Sequence, residues 1–182
     1  MYIVSARALA SFRWRPLSSN VRPQMTDSAE RYIHFSCCLE WLNECWSLLQ
    51  TLKGEPSNPL RGPAFRFALV LYGKPYRESR GTSIRKHRLD NSFVPVELQS
   101  LHSEVLNQRD QLHAHSDLTV MDALLTVHRF EEKQYALMIR NHIDQTALLS
   151  RLDEIISLVE ATLDRMYAEA KKLEAGLRAA EA

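Results

Sequence analysis

Glycine and cysteine are both scarce in this chain. Glycine occurs five times in 182 residues, and because turn-rich β-sandwiches and phosphate-cradling loops both need glycine backbones, the sequence disfavours both. The three cysteines, Cys37, Cys38 and Cys45, lie within one apolar helical pattern. Their spacing does not match a zinc site, and an odd number disfavours a disulfide framework. We interpret them as small buried side chains in a reducing compartment.

Long apolar runs and a strong charge imbalance are missing as well. No run approaches the ~20 apolar residues of a membrane helix, and the most apolar window, 64–72, is short and contains Arg66. The net charge is only +1, so total charge predicts no nucleic-acid partner. A hydrophobic content of 45% and a charged content of 25% predict one globular domain.

Residues 1–24 contain four arginines and no acidic residue. We predict an irregular basic arm there, followed by a single helical domain over 25–182. An organelle transit peptide and a natural start at Met25 are the alternatives. No clean amphipathic pattern runs through the segment, which favours the irregular arm.

Apolar residues at steps of three and four predict most of the helices. The first begins near Thr26 and ends at Gly54 and Pro56, with a possible capping pair of Asp27 and Glu30. Its predicted buried stripe consists of Phe35, Cys38, Leu42, Cys45, Leu49 and Leu52. A second helix starts after Pro59 or at Pro63 and ends before Gly73, and a third runs from Val94–Pro95 through Leu112.

The C-terminal half predicts a hairpin and a last helix. Residues 123–140 alternate weakly around Glu131–Glu132–Lys133, which favours a short β-hairpin. Asp144 then caps a helix whose apolar residues keep a coiled-coil-like spacing. That seam fits packing within the bundle or against a second protomer. Its members are Leu149, Leu152, Ile156, Val159, Leu163, Met166, Ala170, Leu173 and Leu177.

Two polar segments interrupt this helical pattern. Residues 74–88 hold six cations and one acid, Glu78, with Tyr72 and Tyr76 nearby. Such a loop is typical of phosphate contacts and base stacking, and a solvated mobile loop is the plain alternative. The predicted RNA-binding residues are Lys74, Arg77, Arg80, Arg85, Lys86 and Arg88.

The second polar segment, 109–117, reads Arg-Asp-Gln-Leu-His-Ala-His-Ser-Asp. Arg109 falls four residues after Val105 and so lies on the apolar stripe of the third helix. A buried charge is costly unless it is paired or faces a cleft, so this placement indicates a special role. His113, His115 and Asp117 superficially match a His-x-His-x-Asp metal run of metallo-β-lactamase-like hydrolases. A helix rather than a strand precedes them, so we expect no metal and no cofactor.

Arg109–Asp110, four further residues and then His115 resemble the Arg-x(4–6)-His motif of the HEPN superfamily. The wording of the segment is similar to the bacterial branch related to abortive-infection proteins. This resemblance covers about residues 26–175 and implies an all-α, HEPN-like bundle of four to five helices. It further implies a cytoplasmic homodimer acting as a metal-independent endoribonuclease of toxin or phage-defence type, with RNA as substrate and an antitoxin or other protein as partner.

The resemblance implies a composite site in which His115 is the acid and base, Arg109 holds phosphate and Asp110 orients one of them. An imidazole near its ordinary pKa of ~6.5 suits both proton transfers, and a guanidinium suits a phosphate. His113 lies four residues after Arg109 and is the closer helical neighbour. The choice of histidine therefore stays open. A non-catalytic, HEPN-like dimerisation module with a buried polar network is the alternative function.

Overall fold

The computed structural model describes residues 26–113, 124–130, 133–139 and 146–180 of the chain. The predicted basic arm at 1–24, the cap Asp144 and the residues His115 and Asp117 lie outside this part. Within it, α-helices dominate and a single antiparallel hairpin is the only sheet. The coarse expectation of a helical bundle carrying a small hairpin is therefore confirmed.

Helix α1 (Asp27–Gly54) begins where the sequence predicts. The Thr26 hydroxyl accepts a hydrogen bond from the backbone N–H of Ala29 at 3.2 Å, which caps the first turn. All six residues of the predicted apolar stripe are buried. Glu30 is buried too, and its carboxylate binds a distant loop rather than completing a capping box.

Two further helices follow: α2 packs against α1, and α3 packs against α2. Helix α2 (Arg61–Gly73) includes Gly73, one residue beyond its predicted end. Short 3₁₀ turns at Lys74–Tyr76, Asn91–Phe93 and Val96–Leu98 frame the basic segment, and α3 (Gln99–His113) follows. The third α-helix therefore begins at Gln99, later than the predicted start at Val94–Pro95, because the 3₁₀ turn Val96–Leu98 follows Pro95 before regular α-helix begins.

Strands β1 (Leu124–Phe130) and β2 (Lys133–Ile139) form the predicted hairpin. Leu124 pairs with Ile139 and Phe130 with Lys133 at its two ends. The chain then forms a short helix α4 (Thr146–Ser150), a turn at Arg151 and the long helix α5 (Leu152–Ala180). The last helical region is therefore broken at Arg151, whose guanidinium binds Glu104 and Glu154.

Helix α5 packs against α1 within the same chain. Three side-chain contacts between them follow antiparallel order: Lys53 with Asp153 at 2.7 Å, Trp46 with Glu160 at 2.8 Å, and Asn43 with Tyr167 at 2.9 Å. The predicted seam from Leu152 to Met166 is buried, and Ala170 and Leu173 are partly buried against the same core. The intramolecular alternative for this seam is therefore the correct one through Leu173.

The buried apolar side chains of all five helices form one cluster. Cys38 and Cys45 belong to it, Cys37 is half-buried, and all three are free thiols. Burial raises the pKa of the Cys38 and Cys45 thiols to about 12, so both stay protonated. No helix in the described ranges is both long enough and apolar enough to cross a membrane.

Candidate nucleic-acid interface

Arg109 lies against the C-terminal end of α2. Only 15% of its side chain is exposed. A Cβ atom added to Gly73 would meet Arg109 Cδ and Nε at 3.0 Å, so the guanidinium stem packs directly on a glycine backbone. Arg109 Nε is buried and has no hydrogen-bond partner among the described residues. The Arg109 side chain is thus accommodated on the apolar stripe because its aliphatic part packs closely and its guanidinium group pairs with a carboxylate.

Asp110 provides that pairing and joins two parts of the chain. Its Oδ1 accepts a hydrogen bond from Arg109 Nη1 at 2.9 Å and another from Arg77 Nη2. Burial opposes ionisation of Asp110, but the hydrogen bonds from Arg77 and Arg109 outweigh it and hold the pKa of the carboxyl below its ordinary value. Two guanidinium groups therefore flank one carboxylate, and the trio carries a net positive charge.

The two histidines of the motif are placed only in part. Helix α3 is helical as far as His113, so the backbone of His113 lies one turn after Arg109 on the same side of the helix. The side chain of His113 and all of His115 lie outside the described residues. The choice between the two imidazoles therefore stays a prediction.

The basic segment forms a closed loop between α2 and α3. Ser79 and His87 exchange two backbone hydrogen bonds of 2.9 Å, and the N–H of Leu89 donates to the carbonyl of Pro75 at 2.8 Å. These bonds hold the two sides of the loop together in antiparallel fashion. Arg77 lies on its outgoing side, which is how the loop reaches Asp110.

Glu30 anchors the far end of the same loop. Its carboxylate accepts backbone hydrogen bonds from Thr82 at 2.8 Å and Ser83 at 2.6 Å, and contacts His87 Nε2 at 2.8 Å. The hydrogen bond from His87 is the largest cause that lowers the pKa of Glu30 to about 2, against an opposing effect of burial, with further help from Ser83 and Thr82. Glu30 is therefore ionised at neutral pH and holds the loop to α1.

Gly81 is required by this arrangement. A Cβ atom there would overlap Glu30 Oε1 and would lie 2.5 Å from the carbonyl oxygen of Ile84 and 2.6 Å from His87 Nε2. The carboxylate occupies the space that any side chain at position 81 would need. Of the residue types, only glycine therefore fits at position 81 without displacing these atoms.

The six predicted RNA-binding cations do not share one environment. Arg77 contacts Asp110, Lys74 lies 5.4 Å from the centre of the Trp41 ring, and Lys86 pairs with Glu78 at 2.7 Å. Arg80, Arg85 and Arg88 are exposed. Arg80, Arg85 and Lys86 line a pocket of about 630 Å³ that the loop itself forms. The structure therefore brings only Arg77 of the six into contact with the Arg109–Asp110 pair.

Two polar clusters next to this loop were missed by sequence reasoning. Tyr72 OH lies 2.7 Å from Nδ1 of buried His102, and the Tyr76 ring packs on the same imidazole at 4.5 Å. Burial lowers the pKa of His102, so its imidazole is neutral. The Glu30 cluster is the second. The sequence could have indicated the Glu30 cluster, because Glu30 precedes Cys38 and Leu42 at helical spacing. It therefore lies on the buried stripe of α1, as Arg109 lies on the stripe of α3.

Among the described residues, no group of three or more histidine, cysteine, aspartate or glutamate side chains could hold a metal ion. His115 and Asp117 of the His-x-His-x-Asp run are outside those residues. Searches among protein-family models, curated proteins and solved structures found no match to this chain.

Proposed function

We propose that this protein is a metal-independent endoribonuclease of the HEPN type, acting as a cytoplasmic homodimer. The observation that carries the proposal is the meeting of Arg77 and Arg109 at Asp110. One arginine comes from the basic loop and the other from the helix that leads into the two histidines. A phosphate held there would have cations of both elements beside it.

In this proposal, Asp110 positions the two guanidinium groups, and the scissile phosphate binds to their N–H groups that do not face the Asp110 carboxylate. Cleavage by the neighbouring 2′-hydroxyl needs one group to accept its proton and one to protonate the leaving 5′-oxygen. An imidazole can serve in both roles near neutral pH. The resemblance assigns this role to His115, and the helical spacing keeps His113 as the alternative. Arg109 would offset the charge that builds on the phosphate in the transition state.

The basic loop is proposed to bind RNA beyond the scissile phosphate. Arg80, Arg85 and Arg88 are exposed, and the backbone N–H groups of Thr82 and Ser83 donate hydrogen bonds to Glu30 that hold the loop to α1. A preorganised loop loses less conformational entropy when it binds. Phosphate contacts release counterions. A plot of the logarithm of the binding constant for single-stranded RNA against the logarithm of the salt concentration should therefore have a slope of about −0.7 per phosphate contact.

A second function has its own supporting observation. The side chain of Arg109 is largely buried, and it already has a partner in Asp110. Partly buried ion pairs of this kind also occur as purely structural networks that fix how helices meet. A non-catalytic interaction module that binds an antitoxin or another protein is therefore the competing proposal.

Cleavage of labelled single-stranded RNA in EDTA separates the two functions. We expect the wild type to cleave, and Arg109→Ala to lose at least about 100-fold in rate, because it removes the phosphate contact. His115→Ala should lose activity to a similar extent if His115 is the acid and base, whereas a larger loss in His113→Ala would reassign the role. Arg66→Ala, an exposed arginine on α2, is the matched control and should cleave normally.

Each variant is also measured for helical content and mass. Loss of cleavage in Arg109→Ala with folding and mass unchanged supports the nuclease. Activity that requires added divalent metal would refute the mechanism. No cleavage by the wild type, together with a changed mass or melting of Arg109→Ala, would support the interaction module instead.

A further inference from the structure

A pocket of about 460 Å³ lies where helix α1, the second half of the basic loop and helix α5 come together. This α1–α5 pocket has a volume within the range of roughly 300–1,000 Å³ that is usual for small-ligand sites. None of the residues in the Arg77–Asp110–Arg109 contact lines it, so it is a separate feature of the molecule. Its basic lining residues are Arg31, His34, Lys86, His87 and Arg88.

The two acidic side chains that line the α1–α5 pocket are already bound to other groups. The carboxylate of Asp90 accepts a hydrogen bond from the backbone N–H of Ser92 at 2.7 Å. Glu169 pairs with Lys172 of the same helix at 2.9 Å. Neither acid therefore neutralises the basic side chains of the pocket through an ion pair.

Three of the basic side chains are available to an anion. Arg31 and Arg88 are exposed, and neither forms an ion pair with any residue that the structure describes. Lys86 pairs with Glu78 at 2.7 Å, but both side chains are more than half exposed, and surface pairs of this kind are weak and readily exchanged. The α1–α5 pocket therefore favours a negatively charged ligand.

The same pocket also offers aromatic and aliphatic surface. Phe93 is half-buried, and its ring centre lies 5.5 Å from that of Phe35. The imidazole of His34 stacks on that of His87 with ring centres 4.8 Å apart, and Leu173 adds apolar lining from α5. Arginine side chains beside an aromatic ring are typical of sites that bind a phosphate and stack a base. A nucleotide combines both of these groups in one ligand.

We propose that the α1–α5 pocket binds one unpaired nucleotide of a single-stranded RNA, with its base against Phe93 and its phosphate at Arg31 and Arg88. Lys86 lines both this pocket and the pocket that the basic loop itself forms, so the two are adjacent. A polynucleotide can occupy both pockets at once, whereas a free nucleotide fills only one. The inference rests on the proposed function for its expectation of RNA, and it adds a base-binding position outside the Arg109 site.

The test is binding of a labelled single-stranded 2′-O-methyl RNA of about 12 nucleotides, a length that can reach across both pockets. Its methylated 2′-oxygen cannot attack the phosphate, so binding is measured without cleavage. Fluorescence anisotropy of the full-length protein at several salt concentrations gives the Kd and its salt dependence. Adenosine 5′-monophosphate is the competing probe, and RNA should bind at least about 10-fold more tightly because it makes linked contacts.

Arg31→Ala and Phe93→Leu should weaken RNA binding in different ways. Arg31→Ala should raise the Kd at least about 5-fold and make the logarithmic salt slope shallower by about 0.7, because one phosphate contact is lost. Phe93→Leu should also raise the Kd at least about 5-fold but leave the slope unchanged, because it removes a stacking surface and no charge. Arg66→Ala, an exposed arginine that lines neither pocket, is the matched control and should bind normally.

Circular dichroism of each variant verifies its fold, and the exposed position of Arg31 keeps the test valid should Phe93→Leu fold poorly. A wild type that does not bind the RNA overturns the proposal, as does an Arg31→Ala variant that binds like the wild type. Adenosine 5′-monophosphate that binds as tightly as the RNA also overturns it, because the ligand would then be a free nucleotide. Wild-type protein that binds as expected but never cleaves RNA leaves the pocket standing and refutes the nuclease. Normal cleavage with unchanged binding in both pocket variants refutes the pocket alone.

Discussion

Glu30 and Arg109 are charged residues on helical stripes that are otherwise apolar, and each is paired. Glu30 receives backbone N–H groups of the basic loop, and Arg109 packs on Gly73 and binds Asp110. The energetic reason is the same at both positions, since a buried charge without a partner costs several kcal/mol. A charged residue at a position of an apolar stripe is visible in the sequence. This feature identifies Arg109 and could have identified Glu30.

The close contact between Gly81 and Glu30 predicts that a substitution at Gly81 destabilises the protein. Gly81→Ala should destabilise the protein by about 1–3 kcal/mol, because the new methyl group overlaps the Glu30 carboxylate and backbone atoms of Ile84. Urea denaturation followed by circular dichroism measures this. Gly62→Ala is the matched control. It meets no atom within 4 Å and should be neutral or slightly stabilising, because alanine favours helix. Equal stability of the two variants would contradict the anchor.

Helices α2 and α3 meet through Gly73 and Arg109. The contact is close, but the atoms that a Cβ would meet belong to a flexible side chain. The Arg109 side chain can shift by a few tenths of an ångström at low energetic cost. Such a shift would change the position of its guanidinium group. The packing of these helices and the geometry of the proposed phosphate site are therefore linked at one position.

Gly73→Ala should consequently separate stability from activity. We expect a change of less than about 1 kcal/mol in the free energy of unfolding and a loss of roughly 10-fold or more in RNA cleavage, because a small displacement of a positioning group costs rate. Cleavage rates and urea denaturation of the same samples measure both effects. Gly62→Ala again serves as the control within α2. Full activity in Gly73→Ala would show that the placement of Arg109 does not limit the reaction.

Acidic side chains with lowered pKa values make the stability of the folded protein depend on pH. The pKa of Glu30 falls from an ordinary value of 4.5 to about 2 in the folded protein. The unfolded chain therefore binds the proton first as the pH falls. The contribution of Glu30 is complete above pH 4.5 and is lost progressively as the pH falls to about 2. Asp110 and Glu154, whose pKa values are also lowered, act in the same direction.

Glu30→Gln should remove part of this dependence. At pH 7 the variant should be less stable than the wild type, because an amide cannot accept all the hydrogen bonds that the carboxylate receives. Between pH 4.5 and pH 3 the wild type should lose more stability than the variant. Urea denaturation across this range measures the difference. Glu40→Gln, an exposed acid on the same helix, should follow the wild type. Identical pH profiles for wild type and Glu30→Gln would refute the role of Glu30.

The sequence alone determined the helices and the hairpin, because the period of apolar residues is a local property of the chain. The stripe of α1 and the strands over 123–140 could both be predicted in this way. The break at Arg151 could not, because apolar spacing continues across it from Leu149 to Leu152 while the chain turns to pair Arg151 with Glu104 and Glu154.

Which distant residues meet depends on how the helices pack against one another. Arg77 and Asp110 are 33 residues apart, and Glu30 lies more than 50 residues from Thr82 and Ser83. Hydrogen bonds between such residues depend on how α1, α2 and α3 pack, which local spacing does not encode. The same holds for the two long helices, where the partner of the α5 seam is α1 of the same chain because their side chains are buried in one shared core.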